Sequence, residues 1–167
     1  GYIRLHRFLD LNPVDDIKEY FKKNKKIFRS PYFEFATYDK ECKIHLDWVR
    51  PRKLNPECEL FLDDGPGLGD CCQGGIGNCG VCAMAGYITA LPPKVFMENI
   101  YPNYLNPYGV YSVRVFVGGR WRYSLIDDFL PVAKDSLSLW SWHSPEYLEM
   151  WPMLLEKHMA NMANEYN

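Results

Sequence analysis

The sequence predicts one α+β domain, and three observations carry that reading. A glycine-rich loop, Gln73-Gly74-Gly75-Ile76-Gly77-Asn78, ends at Cys79 and runs at once into an apolar stretch from Val81 to Leu91, the pattern of a helix entered from a tight loop. Two alternating segments, Tyr111 to Val117 and Arg120 to Ile126, flank Gly118-Gly119 and read as an antiparallel hairpin with a two-residue turn. A last helix starts near Trp151-Pro152 and places Leu154, Leu155, His158, Met159 and Met162 at helical spacing. With 47% hydrophobic and 16% aromatic residues in 167, the chain buries a real core and is not disordered.

The elements follow in chain order. Asn12 to about Phe28 reads as a helix: Asn12 caps, and Pro13 suits the first turn. Asp15 and Asp16 lie at the positive end of its dipole, Lys22, Lys23, Lys25 and Lys26 at the negative end. Val14, Ile17, Phe21 and Phe28 supply its apolar stripe. From Ser30 to Gly69 prolines and charges interrupt any period. Trp48-Val49-Arg50-Pro51, followed by Leu54 and Pro56, reads as an extended segment along the surface. Asp63 to Asp70 is a Gly- and Asp-rich loop. The Cys79 helix runs to about Leu91, where Pro92-Pro93 stops it. Asp127-Asp128 and Pro131 end the second hairpin strand, and the two aspartates are read as bonding nearby backbone and side chains rather than as a catalytic pair.

Composition excludes several classes. Nineteen Lys and Arg against 21 Asp and Glu leave a net charge of -2, with no basic stripe for nucleic acid. No apolar run is long enough for a membrane span. Gly1 in place of Met implies a piece of a longer chain. Six cysteines in a chain with its own core point to free thiols and an intracellular, cytoplasmic setting. Cys79-Gly80-Val81-Cys82, with Cys71, Cys72 and Cys58 upstream, raises a zinc or redox centre, but the adjacent pair Cys71-Cys72 fits poorly with the paired ligands of a zinc site.

The chemistry concentrates at Cys79. A thiol at a helix start feels the dipole and free backbone N–H groups, both of which favour the thiolate. Gln73, one short loop upstream, is placed to donate a side-chain N–H to an oxyanion forming beside the sulfur. A base is the missing partner: His6, His45, His143 and His158 are the only histidines, His143 reads as packed or half-exposed rather than as a base, and His158 as packed or facing solvent.

Four blocks in order resemble the calpain family of cysteine endopeptidases. They are Trp48-Val49-Arg50-Pro51; Asp70-Cys71-Cys72-Gln73-Gly74-Gly75-Ile76-Gly77-Asn78-Cys79; Tyr108-Gly109 to Pro131 with Trp121 and Ile126-Asp127-Asp128; and Glu149-Met150-Trp151 with Leu154-Leu155-Glu156-Lys157. The resemblance implies a papain-like fold in which this chain is the N-terminal catalytic lobe: a central helix bearing the nucleophile and a small antiparallel sheet. Residues 1–29 would form a helical extension and residues 30–167 the lobe. It implies Cys79 as nucleophile, Gln73 as oxyanion donor, protein substrates, and a second lobe supplying His and Asn, without which the chain is inactive. It also implies a Ca²⁺ site formed by Asp63, Gly65, Asp70 and Glu149. Two positions depart from the family pattern: Gly80 replaces the Trp after the nucleophile, and Asn78 replaces an Asp. Both raise the alternative of a catalytically inactive calpain-like interaction module.

Overall fold

A computed structural model describes residues 13–30, 46–75, 77–134 and 136–164. Asn12, His6, His45 and Ile76, all of which entered the reading above, lie outside the described residues, as does Cys42, the sixth cysteine.

The first helix, α1, spans Pro13–Lys23 and is shorter than expected. Lys25 adopts φ 51, the left-handed conformation that closes a helix. Lys26 N donates to Phe21 O at 3.0 Å and Lys25 N to Lys22 O at 3.2 Å, the paired bonds of a Schellman ending. Phe28 therefore lies beyond the helix, in an extended return segment, yet it is buried with Val14 against Val110. The chain reversal brings Phe28 back onto the same small cluster that the helical stripe serves.

Strand β1, Leu46–Val49, corrects the surface reading of Trp48-Val49-Arg50-Pro51. It pairs antiparallel with β5, Leu130–Ala133, Trp48 opposite Pro131. Pro51 opens a single helical turn, α2 (Pro51–Leu54), and is buried. Arg50 is held by the second aspartate of Ile126-Asp127-Asp128: Nε donates to Oδ1 at 2.9 Å and Nη2 to Oδ2 at 2.6 Å, while Nη1 donates to Pro107 O at 3.0 Å. Such a forked, largely buried pair fixes the angle between two distant segments. Both motifs serve the architecture, and this contact ties one to the other.

The helix that begins at Cys79, α3, spans Cys79–Ile88, three residues shorter than expected; α4, Pro93–Met97, follows after a turn. A three-stranded antiparallel sheet comes next: β2 (Ile100–Tyr101), β3 (Val110–Val117) and β4 (Arg120–Asp127), in the order β2-β3-β4. The expected hairpin is present, Val117 opposite Arg120, with Gly118 at φ 60 and Gly119 at φ 75. Both turn residues need positive φ, which glycine adopts without a Cβ clash. The last helix, α5, spans Trp151–Asn164.

The core lies between the sheet, α3 and α5, and includes Tyr111, Val113, Ile126, Leu130, Met150 and Trp151 at 0% exposure. Phe96 packs edge-on against Trp151 with ring centroids 4.9 Å apart. Helix α5 is buried without a break from Trp151 to His158, charged residues included. Burial on all sides is unusual for Glu156 and Lys157 and demands partners for both. The expected α+β architecture is what the structure shows.

Candidate active site

Cys79 is the first residue of α3, and its side chain is exposed. The helix is started by the backbone of Asn78, whose carbonyl accepts from Val81 N at 3.0 Å and Cys82 N at 3.1 Å. The Asn78 side chain does not cap the helix. It turns inward: Nδ2 donates to Glu156 Oε1 at 2.7 Å, and Oδ1 accepts from Trp142 Nε1 at 2.8 Å. Glu156 Oε2 in turn accepts from Trp142 N at 2.8 Å. Glu156, Asn78 and Trp142 thus close a triangle beneath the entry to the Cys79 helix. Burial pushes the Glu156 carboxyl up to about 7, against the pull of the Asn78 and Trp142 donors.

The loop before Cys79 is tied to the segment around Trp140. Cys72 N donates to His143 O at 2.8 Å, His143 N to Cys72 O at 3.0 Å, and Gly75 N to Trp140 O at 2.9 Å. The glycines divide by role. A methyl on Gly74 would lie 2.3 Å from Ser141 O, and one on Gly75 2.5 Å from the Trp140 ring. Those two glycines exist because backbone and indole approach too closely for a side chain. Gly77 and Gly80 face open space. Gln73 is exposed on this loop, so Gln73 and Cys79 both reach the surface from a backbone pinned on its inner side.

Neither described histidine is a ready base. His158 is fully buried, and among the described residues neither of its ring nitrogens has a hydrogen-bond partner. Burial holds its pKa down to about 4. His143 is half-buried, with Nδ1 3.2 Å from Ser141 O and its ring edge-on to Tyr147. Asp127 and Asp128 are committed to structure, as read from the sequence: Asp127 accepts from Ser30 N at 2.8 Å and Phe129 N at 3.1 Å and pairs with Lys157.

Of the four residues expected to bind calcium, the structure brings Asp70 and Glu149 together. Glu149 is 2% exposed and accepts from Leu62 N at 3.0 Å. Burial first, then the carboxyls of Asp70 and Asp64, push it up to about 7, while the Leu62 N–H pulls the other way. Asp70 turns back to accept from Gly67 N at 2.5 Å. Asp63 is exposed, and Gly65 sits in a turn closed by its N–H to Leu62 O at 3.0 Å. Among the described residues no three His, Cys, Asp or Glu side chains are grouped to hold a metal ion. The two expected ligands that do approach each other, Asp70 and Glu149, are both carboxylates, a chemistry that suits hard, oxygen-seeking cations better than zinc.

The sequence reading missed the buried triangle at Asn78. Its signal was Glu156-Lys157, two adjacent charges inside an otherwise apolar helix, which have to be answered from elsewhere in the chain.

The fold and the match of its family define a cysteine protease domain. Residues 18–167 match the family described as calpain family cysteine protease. The chain is 34% identical to a calpain of Schistosoma mansoni over 181 aligned positions, covering 99% of this chain and 23% of that protein. It is 31% identical to human calpain-12 over 152 positions, covering 84% of this chain and 21% of that protein, and 32% identical to the human calpain-1 catalytic subunit over 127 positions, covering 72% and 17%. The chain belongs to the calpain family of cysteine proteases. It spans about a fifth of the length of the relatives it matches. No helix among the described residues is long and apolar enough to cross a membrane.

Proposed function

We propose that this chain is the nucleophile-bearing lobe of a calpain-type cysteine endopeptidase acting on protein substrates in the cytoplasm. Residues 1–29 form an extension and residues 30–167 the lobe. The observation that carries the reading is an exposed thiol at the first position of a ten-residue helix. There the dipole and unbonded N–H groups favour the thiolate. Cys79 attacks the scissile carbonyl, and the Gln73 side-chain N–H together with the Cys79 backbone N–H stabilises the oxyanion. A second lobe supplies the imidazole that takes and returns the proton and the Asn that orients it. An open apolar face supports that partner: Met84 and Tyr87 on α3 are 65% and 75% exposed, and a groove of about 350 Å³ runs between α3 and the tip of the β3–β4 hairpin.

The test uses the full-length protein. Cys79→Ser is expected to lower peptide cleavage by at least about 1,000-fold. Iodoacetamide is expected to label exposed Cys79 well before buried Cys58 and Cys82. Cleavage that is absent in the wild type, or equal in both forms, points instead to an interaction module, the reading that Gly80 favours because it builds no wall beside the sulfur.

Calcium belongs to the same proposal. Carbonyls of Asp63 and Gly65 with the carboxylates of Asp70 and Glu149 would hold it, and bound there it would neutralise the two converging carboxylates and stiffen the loop that leads to Gln73. Calorimetric titration is expected to show binding at about 0.1–1 mM, lost in Asp70→Asn. Absence of heat at several millimolar Ca²⁺ removes the site.

A further inference from the structure

Cys71 and Cys82 face each other with their sulfurs 3.5 Å apart, and the Cys82 thiol also lies 3.5 Å from the Cys71 carbonyl. Both are free thiols; Cys71 is half-buried and Cys82 is 6% exposed. Cys71 lies two residues before Gln73, and Cys82 lies one helical turn after Cys79. The pair therefore spans the loop between the exposed glutamine and the exposed thiol from its inner side. Neighbouring elements hold both ends of the contact: Cys72 is bonded in both directions to His143, and Cys82 N to Asn78 O at 3.1 Å.

We propose that Cys71 and Cys82 form a dithiol redox site, oxidised to a disulfide by low-molecular-weight disulfides of the glutathione type. The sulfur of partly buried Cys71, as its thiolate, attacks one sulfur of the oxidant, expelling the first thiol and leaving a mixed disulfide on Cys71. The Cys82 sulfur then attacks the Cys71 sulfur and expels the second thiol. One oxidant disulfide is reduced to two thiols, the protein loses two hydrogens, and one S–S bond forms. The sulfurs have to close by roughly 1.5 Å to reach bonding distance, a local shift at the start of one helix. The bond ties the Gln73 loop to the Cys79 helix and leaves Cys72 and Cys79 as thiols. Its bearing on catalysis rests on the proposed endopeptidase reading; the bond itself does not.

The experiment reads thiols rather than cleavage, so the two proposals fail separately. The purified full chain is held with oxidised glutathione or with dithiothreitol. Free thiols are alkylated with iodoacetamide in denaturant, so that buried Cys58 is reached as well, the protein is reduced, and newly freed thiols take N-ethylmaleimide. Cys58, Cys71, Cys72, Cys79 and Cys82 share the tryptic peptide Leu54 to Lys94, so fragmentation reads every label in order. The expected result is maleimide on Cys71 and Cys82 and iodoacetamide on the other three, after any cysteine that carries a glutathione adduct in the unreduced peptide has been set aside by its mass. The oxidised protein melts about 5 °C higher than the reduced one, because the bond closes a loop in the unfolded chain. Cys71→Ser and Cys82→Ser each abolish both signals, whereas Cys72→Ser and Cys79→Ser retain them. Maleimide on Cys72 and Cys79, on Cys79 and Cys82, or on no pair overturns the proposal.

Discussion

Lys157→Met is expected to destabilise the fold by about 3–5 kcal/mol at neutral pH. The side chain of Lys157 is 3% exposed and that of its partner Asp127 is 0% exposed. The three ammonium donors are all used: they reach the Asp127 carboxylate, Asp127 O at 3.0 Å and Phe129 O at 2.8 Å. The ammonium also sits 5.8 Å from the centre of the Trp48 ring. Methionine keeps the length and the apolar stem but leaves a buried carboxylate that, among the described residues, keeps the N–H groups of Ser30 and Phe129 as its hydrogen-bond partners. The penalty comes from that uncompensated charge and the orphaned carbonyls, not from lost volume. Asp127→Asn in the Lys157→Met background is expected to recover about 2 kcal/mol, since neutralising the orphan removes most of its desolvation cost. Denaturant melts of the four proteins in the cycle measure this. A loss below about 1 kcal/mol for Lys157→Met would overturn the reading that this pair is held at the cost of two buried charges.

The second large effect belongs to Glu156, and it is a pH effect. The carboxyl titrates near 4.5 when unfolded and at about 7 when folded. Between those values the folded protein keeps a proton that the unfolded chain has released. Stability is therefore highest below pH 4.5 as far as this group is concerned, falls as the pH rises to about 7, and is level above. The total fall is on the order of 3 kcal/mol. Glu156→Ala removes this slope and strands Asn78 Nδ2 and Trp142 N, two donors that now end on the carboxylate. It is expected to be less stable than the wild type by about 3–5 kcal/mol at pH 5, with the gap narrowing toward pH 7. Glu156→Gln keeps the volume but turns an amide N–H toward one of the same donors, at about 1–3 kcal/mol. Urea melts at pH 5, 6 and 7 decide it: parallel pH profiles for wild type and Glu156→Ala would show that this carboxyl does not titrate in the window. Because Asn78 immediately precedes Cys79, the Ala variant should also slow alkylation of Cys79.

The two charged residues lie side by side on α5 yet serve different segments. Lys157 reaches the exit of the β3–β4 hairpin, and Glu156 reaches the loop that launches α3. Each is a long-range contact, which explains why neither partner was visible in the chain as written. The local signals were read well. Gly118-Gly119 between alternating segments specified the hairpin, because positive φ at two successive positions is a demand that almost only glycine meets. The start of α3 at Cys79 and of α5 at Trp151 were equally legible from loop composition and apolar spacing.

The misreadings share one cause. Trp48-Val49-Arg50-Pro51 looked extended and peripheral because its proline and charge are local features. Its strand pairs with residues 81–87 positions away, and Arg50 is answered by Asp128. Gly74 and Gly75 read only as part of a tight loop, but Trp140 and Ser141 lie so close against them that no side chain fits. Helix α1 looked longer because Lys25 is not a residue expected to take a left-handed conformation, and only the packing of Phe28 against Val14 and Val110 shows why it does.

Periodicity, glycine placement and motif order were enough to establish the α+β class, the hairpin, the helix that begins at Cys79, and membership of the calpain family, since each depends on residues close together or on their order along the chain. Tertiary structure alone decided which side chains answer the buried charges of Glu156 and Lys157, why two loop glycines admit no side chain, and that Cys71 and Cys82 meet. Those outcomes turn on distances of a few ångströms between segments far apart in sequence, and burial makes an unanswered charge there too costly to keep.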